Sequence, residues 1–303
     1  MKHYQRLEGM VAATFTPMDA RGDINLSVID KYADLMAESG MAGVFVCGTT
    51  GESHSLTTGE RKAILAQWIK SARKRFKVIA HVGSNCQLEA MELARHAQEV
   101  EADAFAAMAP CFFKPSSVKD LVDFFTPIAQ SAPDLPFYYY NNMPSMTGVS
   151  LSVPSFLIEG KKTMPNLVGT KFTHNNLMEM GECLELNNGE FEVLHGYDEI
   201  LIAGLALGAV AGVGSTYNYL PAVYQNLFDA FKKGDICTAR RMQQKSIEIV
   251  KIIIKYGGGV RGGKAIMNLI GVDCGRCRLP VTPFGDDEYS SLKRDLEKIG
   301  FLN

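Results

Sequence analysis

The chain has 303 residues, 47% hydrophobic and 21% charged, with a formal net charge of -2 and a sequence pI of about 6.3. Such a chain has ample apolar residue for a large core and lacks the basic excess of a nucleic-acid binder. The opening "MKHYQRLEGM" has no apolar signal core, and no apolar run reaches membrane length; neither a nucleic-acid nor a membrane partner is expected, and a cytoplasmic location is.

Short apolar runs alternate with longer helical patterns. "GMVAATFT" (Gly9 to Thr16) reads as a strand and "NLSVIDKYADLMAESG" as a helix, with Ile29, Ala33 and Met36 on one face and Gly40 ending it. "AGVFVCG" is a strand. Thr57 and Glu60 form a capping box ahead of the helix "RKAILAQWIKSARKR". "KVIAHVG" is a strand, "LEAMELARHAQEV" a helix, "DAFAAMAP" a strand, "VKDLVDFFTPIAQSA" a helix and "LPFYYYNN" a strand. A short helix near Pro154 to Glu159 leads to the strand "NLVGTKF". The helix "NLMEMGECLEL", the strand "FEVLHG", the helix "DEILIAGLALG" and an eighth strand "AVAGVGSTYN" (Ala209 to Asn218) follow.

Eight strand–helix units of roughly thirty residues match a parallel (β/α)8 barrel. The strands are continuous apolar runs, as expected when both faces are covered. A doubly wound open sheet would need a Gly-rich turn after its first strand, and "TPMDARGD" is not one. Residues 1–219 are read as the barrel core, and 220–303 as the last barrel helix plus an appended helical region.

The seven cysteines scatter along the chain, which argues against a disulfide framework. "CGRC" (Cys274 to Cys277) has metal or redox spacing. With no second pair and no nearby histidine, it reads as plain reduced thiols. No metal and no cofactor are expected.

In barrels of this type the chemistry sits at the C-terminal ends of the strands. Those ends carry "GTTGES" (Gly48 to Ser53), "YYYNN" (Tyr138 to Asn142), "TKFT" (Thr170 to Thr173), "HGYDE" (His195 to Glu199) and "GSTYN" (Gly214 to Asn218). Lysine is almost never buried without a partner, yet Lys171 ends an apolar strand. It is either ion-paired, at an open strand mouth, or a nucleophile. A lysine attacks a ketone only as the free amine, which is roughly one molecule in 2,500 at pH 7 for the reference pKa of about 10.4. An apolar strand favours the neutral form by desolvation. "GTTGES" offers backbone amides and hydroxyls at a strand-to-helix turn, suited to a carboxylate. It lacks the Gly-Lys-Ser/Thr ending of a phosphate loop. Asp198 and Glu199 are suited to accept hydrogen bonds from sugar hydroxyls.

Plainer roles stand beside these. The three tyrosines suit core packing, Asp198 a helix cap, Glu52 support of the following helix's first turn, and His81 and His195 satisfied core or rim positions.

These motifs resemble those of the pyruvate-dependent class I aldolases, the family of dihydrodipicolinate synthase and N-acetylneuraminate lyase, over essentially the whole chain. "GTTGES" resembles the family's pyruvate-carboxylate loop and "VGTKFT" its Schiff-base strand. "HGYDEIL" with "GSTYN" resembles the lyase branch. The resemblance implies that Lys171 forms the imine, that Thr49 and Thr50 bind the pyruvate carboxylate, and that Thr173, Gly196, Asp198, Glu199 and Ser215 hold the sugar-like portion. It implies reversible Schiff-base cleavage of N-acetylneuraminate to N-acetylmannosamine and pyruvate, by a homotetramer.

Two positions depart from the family's pattern. The family has Tyr-x-x-Pro, whereas Tyr140 and Pro144 are separated by three residues. Counting back from Pro144 selects Asn141; aligning on "LPFYYY" selects Tyr140. Tyr140 is preferred, with Thr49 assisting it, because an amide cannot relay a proton as a phenol can. The synthase branch also has an arginine after that proline, where "PSMTG" has Met146, and a tyrosine on the fourth-strand loop, where "PCFFKP" has Phe112 and Phe113. Both differences favour the lyase. The remaining readings are another aldolase of the family, acting as a dihydrodipicolinate synthase or on a 2-keto-3-deoxy sugar acid, and a non-catalytic keto-acid-binding regulatory barrel.

Overall fold

The computed structural model describes residues 4–302. In chain order the elements are β1 (Gly9–Ala13), α1 (Val28–Glu38), β2 (Gly43–Val46), α2 (Thr58–Ala72), β3 (Lys77–His81), α3 (Gln87–Glu99), β4 (Ala104–Met108), α4 (Val118–Gln130) and β5 (Phe137–Asn142). Then come the single turn α5 (Pro144–Thr147), α6 (Val153–Lys161), β6 (Leu167–Thr173), α7 (Leu177–Glu185), β7 (Glu192–His195), α8 (Leu201–Ala206) and β8 (Ala211–Gly214). The helices α9 (Pro221–Lys232), α10 (Ile236–Lys255), α11 (Gly258–Leu269) and α12 (Asp286–Lys298) complete the chain. The strands are parallel and close in the order β1 to β8, a (β/α)8 barrel followed by C-terminal helices. Every strand residue is buried except Gly9, Lys77 and Thr173, which accounts for the continuous apolar runs. Among the described residues, no helix is long and apolar enough to cross a membrane.

The chain divides into two compact units, one from residues up to Gly9 with Lys77–Val213, the other from Met10–Phe76 with Gly214 onward. In the first, β5 alternates its side chains between two environments. Tyr139 packs outward on Phe156 and Phe125, with ring centroids 4.6 Å and 5.7 Å away. Tyr138 points the other way and donates to Glu192 Oε2 at 2.9 Å. Tyr4 also bonds Glu192, and the Leu7 amide donates to it at 3.2 Å. Burial nevertheless raises the Glu192 carboxyl above its ordinary pKa, the hydrogen bonds opposing the rise only in part.

In the second unit, Thr57 caps α2 as its spacing predicts. The Glu60 amide donates to Thr57 Oγ1 at 3.2 Å, and the Thr57 amide donates back to Glu60 Oε2 at 2.8 Å. The eighth strand is shorter than its apolar run: it ends at Gly214, and Thr216–Asn218 forms a 3-10 turn. The reason is Asn218, whose side-chain amide donates to the Ser215 carbonyl at 2.7 Å and to the Ala13 carbonyl at 2.8 Å. A local side-chain bond of this kind competes with the sheet ladder and folds the chain back.

Candidate active site

Lys171 lies on β6, only 4% exposed, with its Nζ 3.9 Å from the centroid of the Tyr140 ring on β5. The register explains the pairing. Tyr140 is directly opposite Lys171, and Tyr138 opposite Gly169. Side chains alternate along a strand, so Tyr139 and Asn141 point to the other face. Of Tyr140 and Asn141, the two residues left open by the spacing to Pro144, Tyr140 is the one that faces the lysine. His81, at the end of β3, packs edge-on against that ring with centroids 5.7 Å apart. The sequence offered no signal that would have joined His81 to this group.

Thr173 closes β6, and its buried Oγ1 faces Gly196, which follows β7: a Cβ at Gly196 would lie 2.0 Å from that oxygen. The Gly196 amide donates to the Phe172 carbonyl at 2.8 Å. Only glycine permits this approach of the two strand ends. The next residues turn into a 3-10 segment, Asp198–Ile200, that carries Asp198 and Glu199. Tyr197 occupies the N-cap of that segment and Ile200 the N-cap of α8, so Asp198 is not a helix cap. Burial raises the Glu199 pKa. His195 sits beneath this turn, fully buried, its Nε2 2.9 Å from the Tyr197 carbonyl and its Nδ1 3.3 Å from Met180 Sδ. Burial pulls its pKa down to about 4, so it is a neutral core histidine.

The second unit holds the other sequence-selected residues. Thr49 and Thr50 are half-buried in the turn after β2, where the Glu52 amide donates to the Thr49 carbonyl at 3.0 Å and the Ser53 amide to the Gly48 carbonyl at 3.2 Å. Ser215 is half-buried just after β8. Glu52 does not support the first turn of α2: it is buried in an ion pair with Lys264 of α11, Nζ to Oε1 2.7 Å. Lys264 carries the same sequence signal as Lys171, since "GGKAIMNLIG" likewise embeds a lysine among apolar residues. All seven cysteines are free thiols. Among the described residues, no group of three or more histidines, cysteines or carboxylates could hold a metal ion.

The chain matches the Dihydrodipicolinate synthetase family over residues 6–299. It belongs to that family. It is 41% identical to the curated N-acetylneuraminate lyase of Gallus gallus over 97% of this chain and 97% of that protein. It is 39% identical to the N-acetylneuraminate lyase of Mus musculus over 99% of this chain and 94% of that protein. Among solved structures, the Proteus mirabilis N-acetylneuraminate lyase superimposes with a TM-score of 0.95 at 37% identity, covering 98% of this chain and 100% of that chain. The eight-stranded barrel expected from the sequence is therefore shared with that lyase.

Proposed function

We propose that the chain is an N-acetylneuraminate lyase, a class I aldolase that reversibly cleaves N-acetylneuraminate to N-acetylmannosamine and pyruvate. The observation that carries the reading is Lys171, buried on β6 against the Tyr140 ring, in a chain about 40% identical over nearly its full length to the N-acetylneuraminate lyases of Gallus gallus and Mus musculus. Met146, where the synthase branch has an arginine, is consistent with the lyase.

In this reading the Lys171 amine adds to the C2 ketone of the open-chain sugar, and loss of water leaves an iminium. Tyr140, assisted by Thr49 and the substrate carboxylate, takes the C4 hydroxyl proton. The C3–C4 bond breaks, its electron pair flows into the iminium to give an enamine, and C4 leaves as the aldehyde of N-acetylmannosamine. Proton return to C3 and hydrolysis release pyruvate and the free lysine. Thr49 and Thr50 hold the carboxylate throughout. Thr173, Gly196, Asp198, Glu199 and Ser215 hold the polyol. Assembly as a homotetramer follows the family resemblance, and a cytoplasmic location suits seven scattered cysteines.

The test is reductive trapping. Pyruvate with borohydride should inactivate the enzyme and leave one reduced pyruvyl adduct, located on Lys171 by peptide mass mapping. An adduct on another lysine, or none, would remove the Schiff-base reading and favour a non-catalytic keto-acid barrel.

The sugar side has its own test. Asp198→Ala should leave trapping on Lys171 intact while lowering kcat/KM for N-acetylneuraminate about 10–150-fold, the scale of a lost charged hydrogen bond of about 1.5–3 kcal/mol. Glu199→Ala should behave alike, and synthesis from a short aldehyde that cannot reach either carboxylate should be nearly unchanged. Equal losses on long and short substrates would remove the sugar assignment.

A further inference from the structure

The second unit contains a charged pair that the proposed reaction does not use. Glu52 lies within "GTTGES", and Lys264 is on α11; their side chains are 3% and 1% exposed. The turn containing "CGRC" completes this pair through its backbone. Lys264 Nζ donates to the Arg276 carbonyl at 2.8 Å, and the Arg278 amide donates to Glu52 Oε2 at 2.9 Å. Arg278 extends the attachment, donating through Nη1 to the Ser55 carbonyl at 2.8 Å and to Glu60 Oε2 at 2.9 Å. Gly275, with φ +65°, lies so close to Met18 that a Cβ would fall 1.7 Å from the Met18 carbonyl oxygen. Burial pushes the Cys274 and Cys277 thiols up to about 12 and about 11, so both are protonated at neutral pH and suit neither metal ligation nor exchange. The motif with redox spacing is thus a structural turn shaped around Glu52 and Lys264.

The loop it grips is backbone-strained on both sides. Cys47 and Glu52 both have φ of 57°, in the left-handed region that ordinary side chains avoid. Such residues persist where surrounding contacts over-determine them. Between them lie Gly48, Thr49, Thr50 and Gly51.

We propose that Glu52 and Lys264 are positioning residues, whose buried ion pair, locked by the Cys274–Arg278 turn, pins the strained loop so that Thr49 and Thr50 present their donors to the substrate carboxylate. The proposal rests on the carboxylate reading of Thr49 and Thr50. In this proposal neither member of the pair contacts substrate; each acts through the loop. A misplacement of about 1 Å in a positioning element costs about 10²-fold.

The experiment measures KM for pyruvate and for N-acetylmannosamine in the synthesis direction, with a melting curve for each variant. Glu52→Gln and Lys264→Met should each raise the pyruvate KM about 10²-fold, with the KM for N-acetylmannosamine changed less than about 3-fold. The double variant Glu52→Gln/Lys264→Met should be no worse than either single, since the pair acts as a unit. It also leaves no lone buried charge, so it carries the measurement if a single variant fails to fold. Lys264→Arg, which keeps the charge, should recover part of the pyruvate KM. Leu296→Ala, in the core of α12, controls for stability: its melting temperature should fall while its pyruvate KM stays unchanged. A double variant with wild-type pyruvate KM, beside a Thr50→Ala variant whose KM rises, overturns the positioning role alone. A Thr50→Ala variant with unchanged pyruvate KM overturns the carboxylate reading and this proposal with it.

Discussion

Lys171→Met is expected to abolish cleavage of N-acetylneuraminate while leaving the protein folded. Without the amine no iminium forms, and the C3–C4 bond has no electron sink. The loss should be on the order of 10⁶-fold in kcat, the scale seen when a covalent nucleophile is removed. The fold should tolerate the change. Methionine nearly matches the lysine stem in volume and thioether chains adapt to irregular gaps. The variant gives up the amine's contact with the Tyr140 ring, worth about 0.5–2 kcal/mol, and gains by no longer holding an amine out of water. The melting temperature should therefore stay within a few degrees of wild type. Steady-state turnover beside a melting curve checks both halves. Residual cleavage above about a thousandth of wild type would mean that Lys171 is not the nucleophile, and a collapse in stability would mean that it is a structural ion-pair member.

The three adjacent tyrosines of β5 should separate by role when each is replaced by phenylalanine. Tyr140→Phe should lower kcat by about 10²–10⁴-fold, the range of a positioned acid–base group. Imine formation with pyruvate should survive better than carbon–carbon cleavage, because only cleavage removes the C4 hydroxyl proton. Tyr139→Phe should be nearly wild type, since that ring packs against Phe125 and Phe156 on the helix side. Tyr138→Phe should cost stability rather than rate, about 1–3 kcal/mol for the Glu192 carboxylate left short of a donor. Turnover, borohydride trapping and melting on the three variants make the comparison. A dead Tyr139→Phe with an active Tyr140→Phe would shift the relay by one residue and refute the register argument.

That comparison also marks the boundary between local and long-range information. The barrel was readable from the chain because each strand is buried on both faces, and burial writes a continuous apolar run between turn residues. Lys171 stood out for the same reason: a charge on such a run is unusual enough to demand an explanation. The loops after the strands carried enough residue chemistry, in "GTTGES" and "HGYDE", to place the family. The three tyrosines could not be told apart in this way. Which of them faces Lys171 depends on the β5–β6 register, with its shift between Phe137 and Tyr138, and a slip of one residue sends every side chain to the opposite face. The end of β8 was likewise hidden, because Asn218 folds the chain back through bonds to Ser215 and to Ala13, the latter 205 residues away. The Glu52–Lys264 pair spans 212 residues. Local patterning could say that each charge needed a partner. Only the tertiary structure could say which, because a buried charge is satisfied by proximity in space, and proximity at that separation is decided by how α11 and the Cys274–Arg278 turn pack against the loop after β2.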